Sequence, residues 1–144
     1  MKKFVISGLI TAVVLGGVLL VVGISHHSQP ASVNNAFENN NRFVDTTNQF
    51  VGDLSSKKDL SGEFALLISR MRDENAAVQS SENTPSYQFN SLEVQTYECN
   101  LQIIADATAV LSHPDKSTFA ALTADIVASN KLVHAENKLA SQLW

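Results

Sequence analysis

The sequence predicts an all-α protein, with an N-terminal transmembrane helix followed by an antiparallel (up-down-up-down) four-helix bundle. Three observations lead to this fold class. Residues 4–24 form one apolar run without a charged side chain. Beyond it, apolar residues recur at spacings of three and four, the helical period, in four segments separated by turn-forming residues. The alternating pattern of a half-buried strand appears in none of them. We therefore divide the chain into an anchor with its linker, 1–30, and a helical domain, 31–144.

The apolar run has the length of a membrane-spanning helix. Its 21 residues would extend about 31 Å as an α-helix, close to the thickness of the hydrocarbon layer. Lys2 and Lys3 precede the run, and the next formal charge is Glu38. The positive-inside rule then places the N-terminus in the cytoplasm and residues 31–144 outside it. We expect a single-pass protein of the inner (cytoplasmic) membrane, with Lys2 and Lys3 at the membrane interface.

A cleaved secretory signal is the alternative interpretation of the same run. The triplet at residues 23–25, Gly-Ile-Ser, has the small-x-small pattern that signal peptidases accept. Cleaved signals usually have a shorter apolar core of about 7 to 15 residues. The length therefore favours a retained anchor, and a secreted helical protein remains the alternative.

The charge balance excludes one class of partner. All 14 acidic residues but only 8 of the 10 basic residues follow residue 30, which gives the domain a net charge of −6. This acidic domain has no basic stripe, so we expect no nucleic-acid binding. Cys99 is the only cysteine, so an internal disulfide is excluded. We interpret it as a small, partly buried apolar residue, with cross-linking of two copies as the alternative.

The first helix of the domain is predicted to begin near Ser32, just after Pro30, and to end near residues 55–58. Polar Asn40 and Thr47 fall on its apolar stripe, where such residues either set the register of a bundle or mark loose packing. The stripe consists of Val33, Phe37, Asn40, Val44, Thr47, Val51 and Leu54, widened by Ala36, Phe43 and Phe50.

The second helix is predicted over 59–80, and the third from near Pro85 or Phe89 to Ser112. The third carries apolar residues on two faces, which predicts the most buried helix of the set. The second helix presents Leu60, Phe64, Leu67, Ile68, Met71 and Val78; the third presents one stripe of Tyr97, Leu101, Ile104, Thr108 and Leu111 and another of Cys99, Ile103, Ala107 and Val110.

The fourth helix follows the break at residues 113–115, and Asp115 is its predicted N-cap. If four helices alternate in direction, the fourth returns toward the membrane. Trp144 would then lie at the lipid interface, where tryptophan is favoured. The alternative is that Trp144 closes the end of the bundle core. The stripe of this helix is Phe119, Leu122, Ile126, Val133 and Ala140, broadened by Leu132, Leu139 and Leu143.

Sequence patterns for catalysis and for cofactor or metal binding are absent. The four histidines do not form HExxH or Glu-x-x-His pairs, no CxxC occurs, and no glycine-rich phosphate loop is present. We therefore expect no enzyme activity, no cofactor and no metal. Asp106 and Asp125 interrupt apolar stretches of the third and fourth helices. They are candidates for shifted pKa values near a cavity, or else for solvated carboxylates at the rim of the bundle.

These features predict a protein-interaction, accessory or assembly subunit of a bacterial or phage-modified cell envelope. The expected partners are the lipid bilayer and another envelope protein or a second copy. Phe37, Phe43 and Phe50 recur every six or seven residues; core packing is one use for them, and a groove for a partner helix is the other. An alternative function is a small-ligand-binding or sensor-like bundle, with a pocket near Tyr97, Asp106 and Asp125.

Overall fold

The computed structural model describes residues 29–56, 61–80 and 83–144. Within these ranges every regular element is an α-helix and no strand occurs, so the all-helical prediction is confirmed for this part of the chain. The helix limits fall within a few residues of those predicted. The four helices are α1 (Ala31–Ser55), α2 (Ser61–Gln79), α3 (Tyr87–Ser112) and α4 (Lys116–Leu143).

The predicted membrane anchor lies outside the described residues, as do Lys2 and Lys3. None of the helices α1 to α4 combines the length and the apolar character that crossing a bilayer would require.

Two of the helices begin at side chains that accept hydrogen bonds from free backbone N–H groups. Asp115 accepts from the backbone nitrogens of Ser117 and Thr118, at 2.8 and 3.0 Å, and forms a capping box at the start of α4. The N-cap predicted from sequence is thus present. Ser86 plays the same part for α3 by accepting from the nitrogen of Phe89. These caps fix where α3 and α4 start.

The first two helices, α1 and α2, run in opposite directions. The side-chain nitrogen of Asn39, near the start of α1, lies 3.2 Å from the carbonyl oxygen of Ala77, near the end of α2. At the other end of this pair, the rings of Phe50 and Phe64 meet edge to face with centroids 5.4 Å apart. Close backbone approach joins α1 to α2, α2 to α3 and α3 to α4. The four helices form a bundle.

The core consists of two apolar clusters with polar residues between them. The larger cluster contains Phe43, Phe50, Met71, Ile103 and Leu122 among others. The smaller one, which we call the end cluster, lies where α1 and α3 begin and α4 ends. Its members are Val33, Ala36, Phe37, Phe89 and Ala140, with Leu139 and Trp144 packed against them.

The predicted stripes match burial best in α1 and least well in α3. On α1 every stripe residue from Val33 to Val51 is buried, and Leu54 is half-buried. On α3, by contrast, Leu101 and Leu111 remain 46% and 38% exposed. The expectation that α3 is the most buried helix is not met, because only Ile104 is buried on the first of its two stripes.

Candidate functional site

The buried face of α3 carries three polar residues in succession. Glu93, Thr96 and Asn100 all have an exposed fraction of 0%. They continue the spacing of three and four that places Phe89 before them and Ile103 after them on the same face. A carboxyl, a hydroxyl and an amide group therefore enter the bundle interior between its two apolar clusters.

Glu136 meets these residues from α4. It lies on the buried face of that helix, three residues after Val133 and four before Ala140, and its exposed fraction is 0%. From α1, Asn40 reaches the same place with an exposed fraction of 3%. Three helices thus bring polar side chains to one buried position.

Glu136 is the centre of the hydrogen bonding at this position. Its Oε2 accepts a hydrogen bond from Nδ2 of Asn40 at 3.1 Å, and its Oε1 accepts a hydrogen bond from the hydroxyl of Thr96. Glu93, which is equally buried on α3, lowers the pKa of Glu136. We call Asn40, Glu93, Thr96 and Glu136 the buried carboxyl cluster.

The carboxyl group of Glu136 holds its proton more tightly than an exposed glutamate does. Burial raises the pKa of Glu136 to about 7, against the opposing effects of Thr96, Asn40 and Glu93. No basic side chain is among the influences on the pKa of this group. At neutral pH Glu136 is therefore poised between its neutral and its ionised form.

Asn100 continues the polar stripe one turn beyond Thr96. Its side-chain oxygen and nitrogen are both buried, and neither has a hydrogen-bond partner among the described residues. An unsatisfied buried amide costs about 1–3 kcal/mol. The buried amide of Asn100 therefore lowers the stability of the bundle.

A second acid pair lies further along the interface between α3 and α4. Burial, together with a hydrogen bond to Asp106 and its charge, raises the pKa of Asp125 to about 6. Asp106 is 9% exposed and Asp125 is half-buried. The sequence singled out these two carboxylates separately, and the structure brings them together.

Cys99 lies beside this second pair. Its thiol donates a hydrogen bond to the backbone oxygen of Asp125 at 3.5 Å. Burial, and secondly the charge of Asp125, raises the pKa of the thiol to about 11. Cys99 is half-buried, which agrees with its interpretation as a partly buried residue.

The phenylalanines considered for partner binding lie in the core. Phe43 and Phe50 are 0% exposed and belong to the larger cluster, and Phe37 is 6% exposed in the end cluster. In this arrangement of the helices they have no surface to offer a partner. They pack in the core, which is the first of the two uses considered for them from the sequence.

Trp144 closes one end of the core. Its ring meets that of Phe89 edge to face, with centroids 5.9 Å apart, and Phe89 in turn meets Phe37 at 5.6 Å. This contact matches the alternative role considered for Trp144, which is closing the end of the bundle core. Its position at a lipid interface stays a prediction.

A shallow polar pocket lies between the start of α1 and the end of α2. Its volume is about 350 Å³, and an exposed ion pair between Glu38 and Arg42, 2.6 Å apart, forms part of its wall. The pocket suggested near Asp106 and Asp125 does not coincide with it. The lining residues are Ser32, Asn35, Glu38, Asn39, Arg42, Ser80 and Asn83.

Glu93, Asn100 and Glu136 were not among the residues predicted to lie in the core. On α3 and α4 the stripes were traced through apolar residues and Thr108, so acidic and amide residues at core positions were left out. The available signal was the unbroken spacing of three and four on α3, which runs through Phe89, Glu93, Thr96, Asn100, Ile103, Ala107 and Val110.

Neither metal ligation nor similarity assigns a function to the cluster. In the part of the chain that the structure describes, no three histidine, cysteine or acidic side chains come together as metal ligands could. Comparison with protein-family models, with curated proteins and with solved structures found no match.

Proposed function

We propose that this chain is a membrane-anchored helical bundle that binds another envelope protein, as an accessory or assembly subunit outside the cytoplasmic membrane of a bacterial or phage-modified cell. The apolar run at residues 4–24 with Lys2 and Lys3 before it supports the anchor. Tethering of this kind raises the effective concentration of the domain near other membrane proteins.

The observation that carries partner binding is an exposed apolar stripe on α3. Val94, Leu101 and Leu111 are 39%, 46% and 38% exposed. Exposed leucines are ordinary when they are scattered. Val94, the half-buried Tyr97 and Leu101 follow one another at spacings of three and four, so they share one side of the helix, and Leu111 continues this side toward the end of α3. We call Val94, Tyr97, Leu101 and Leu111 the outer stripe.

The spacing of the outer stripe indicates what would cover it. Apolar residues repeating over a seven-residue period are the seam of a helix that packs against another helix. Seven residues separate Val94 from Leu101. The partner that fits is therefore an amphipathic helix of a second envelope protein. A second copy of this chain would present the same stripe and is the other outcome of the test.

Photo-crosslinking in intact membranes tests this surface. A photoreactive residue replaces Leu101 in the full-length chain, and the same residue at Leu66 is the matched control because Leu66 is 62% exposed on α2 and outside the outer stripe. We expect a discrete crosslinked product from position 101 and none of that size from position 66. Equal products from both positions, or none from 101, would contradict the proposal.

The anchor has its own test. Full-length protein in isolated membranes should stay with the lipid after alkaline carbonate washing and should retain its N-terminus. Release into the supernatant together with a mature N-terminus after residue 25 would instead establish the secreted alternative. The crosslinking result would then need to be repeated on the soluble protein.

Small-ligand binding is a second candidate function, and the polar pocket is the observation that favours it. Side-chain amides, hydroxyls and one ion pair line it, which suits a small polar solute with both donors and acceptors. Thermal melting with a panel of neutral sugars and amino acids tests this candidate. We expect a rise in Tm that Arg42→Ala abolishes; an unchanged Tm across the panel would argue against it.

A further inference from the structure

We propose that the bundle interior binds an ordered water molecule between α2 and α3, held by the side-chain amides of Asn75 and Asn100. The water satisfies buried polar groups for which the helices themselves provide no hydrogen-bond partner. The inference concerns the interior of the bundle and does not depend on the anchor, on the outer stripe or on the polar pocket.

Two buried amides come close together at this interface. Asn75 is 2% exposed on α2, and Asn100 is 0% exposed on α3. The side-chain nitrogen of Asn75 donates a hydrogen bond to the backbone oxygen of Tyr97 at 3.1 Å. Tyr97 lies three residues, or just under one helical turn, before Asn100. The contact with Tyr97 therefore holds the amide of Asn75 on the part of α3 that carries Asn100.

Three polar atoms of these two amides are buried without a hydrogen-bond partner among the described residues. They are Oδ1 of Asn75 and both Oδ1 and Nδ2 of Asn100. Exchanging the oxygen and nitrogen positions of either amide does not remove this. The nitrogen of Asn75 must face the carbonyl group of Tyr97, because only the nitrogen can donate. Asn100 has two unpartnered atoms in either orientation.

The nearest hydroxyl group on the same face of α3 is already engaged. Thr96 lies one turn before Asn100, and its hydroxyl donates a hydrogen bond to the carboxyl group of Glu136. The amide nitrogen of Asn75 is likewise engaged by the backbone of Tyr97. The three unpartnered atoms therefore need a partner that α2 and α3 do not supply.

The chemistry of the unpartnered atoms selects water. They comprise one donor group and two acceptors and carry no formal charge. A cation would leave Nδ2 of Asn100 unpaired, and an anion would meet two amide oxygens. A water molecule can donate to Oδ1 of Asn75 and accept from Nδ2 of Asn100 at the same time. Buried waters typically make about three such hydrogen bonds to protein groups that would otherwise be unsatisfied.

The interface between α2 and α3 suits a bridging molecule. The backbones of α2 and α3 approach each other closely at fewer places than those of α1 and α2 or of α3 and α4. Fixing one water molecule costs less free energy than leaving a buried amide unpaired. The bound water thus offsets the cost of placing Asn100 in the core and links α2 to α3 inside the bundle.

Nuclear Overhauser effects between water and side-chain amide protons provide the first test, on the full-length protein in detergent micelles. We expect the amide protons of Asn100 to show an effect with the sign of a long-lived bound water. The amide protons of Asn35, which is exposed on α1, are the matched control and should not show it. Absence of the effect at Asn100 in the wild type would overturn the proposal and would indicate that the two amides pair directly.

Oxygen-17 relaxation dispersion provides a second test that proton exchange with nearby hydroxyl groups cannot mimic. We expect Asn100→Leu and Asn75→Leu each to lower the dispersion amplitude by the equivalent of about one internal water molecule. Asn35→Leu makes the same change at the exposed position and should keep the wild-type amplitude. An amplitude that is the same in the wild type and in both buried variants would contradict the water site. If either buried variant fails to fold, the Overhauser measurement on the wild type decides.

Discussion

The side-chain nitrogen of Asn40 lies 3.1 Å from Oε2 of Glu136, although 96 positions separate the two residues along the chain. This bond joins the first helix to the last inside the bundle. Both side chains are buried. Loss of the Asn40 donor would therefore leave a carboxyl oxygen of Glu136 without a hydrogen-bond partner, and water does not reach this position to replace it. The interaction therefore makes the polar layer part of what holds the four helices in register.

Replacing Asn40 by leucine should destabilise the bundle. The change keeps a similar volume and removes the donor, so we expect a loss of about 1–3 kcal/mol in the free energy of unfolding, from the unsatisfied carboxyl oxygen. Urea unfolding followed by circular dichroism measures it. Asn41→Leu, on a half-buried neighbouring position of α1, makes the same change in helix propensity and is the control. Equal effects of the two substitutions would argue against a special role for Asn40.

Stability should fall as pH rises from about 4.5 to above 7. The pKa of Glu136 is raised from 4.5 to about 7 in the folded protein, so the folded state binds the proton more tightly than the unfolded state does. Between these two values the folded chain holds more protons, and the free energy of unfolding decreases with rising pH. At about 1.4 kcal/mol per pKa unit, the effect is on the order of 3 kcal/mol.

Urea unfolding at pH 5 and pH 8 checks the sign of this dependence. The double variant Glu93→Gln/Glu136→Gln should lose most of the difference, and it should be more stable than the wild type at pH 8. A wild type that becomes more stable between pH 5 and pH 8, with the double variant unchanged from it, would contradict the raised pKa.

The helices could be predicted from sequence because their stripes follow a simple period. On α1 the spacing placed Val33, Phe37 and Val44 in the core, and they are buried. On α3 the same reasoning placed Leu101 in the core as well, yet it is 46% exposed. A helix in a four-helix bundle turns one face to the interior, and periodicity alone does not tell which of two apolar faces that will be.

The phenylalanines of α1 should behave as core residues. Phe50→Ala should cost about 3–5 kcal/mol, because Phe50 is fully buried and packs edge to face on Phe64. Leu101→Ala, on the outer stripe, should change stability by no more than about 0.5 kcal/mol. Thermal or urea unfolding of the isolated variants compares them. A small loss for Phe50→Ala would mean that α1 packs more loosely than the structure indicates.

Cys99 should react slowly with alkylating reagents in the folded protein. Its pKa, raised from 9.0 to about 11, lowers the thiolate fraction at pH 8 by about a hundredfold, and the thiolate is the reactive form. The rate of iodoacetamide labelling, followed by mass spectrometry with and without urea, measures this. Asp125→Asn should restore only part of the reactivity, since burial is the larger cause. Rapid labelling of native protein would show that the thiol is more open than its packing implies.

The buried carboxyl cluster could be predicted only in part. Asn40 and Thr47 were recognised as polar residues on an apolar stripe, because their apolar neighbours on α1 are dense enough to define the stripe. Glu93 and Glu136 also fall at core spacings on their own helices. From the sequence, however, an acidic residue at such a position is interpreted as an interruption of the apolar stripe, because its buried partner is not known. Their pairing depends on how α3 and α4 align, which is a tertiary property that neither segment contains alone.

The most direct test of the raised pKa of Glu136 is a titration of the glutamate side-chain carboxyl carbons by NMR in the folded, full-length protein. We expect one glutamate signal to titrate near pH 7 and to disappear in Glu93→Gln/Glu136→Gln, while Asp106→Asn/Asp125→Asn leaves it in place. If every glutamate instead titrates between pH 4 and 5, as exposed carboxyls do, burial does not raise the pKa of Glu136 and the account of the buried carboxyl cluster is wrong.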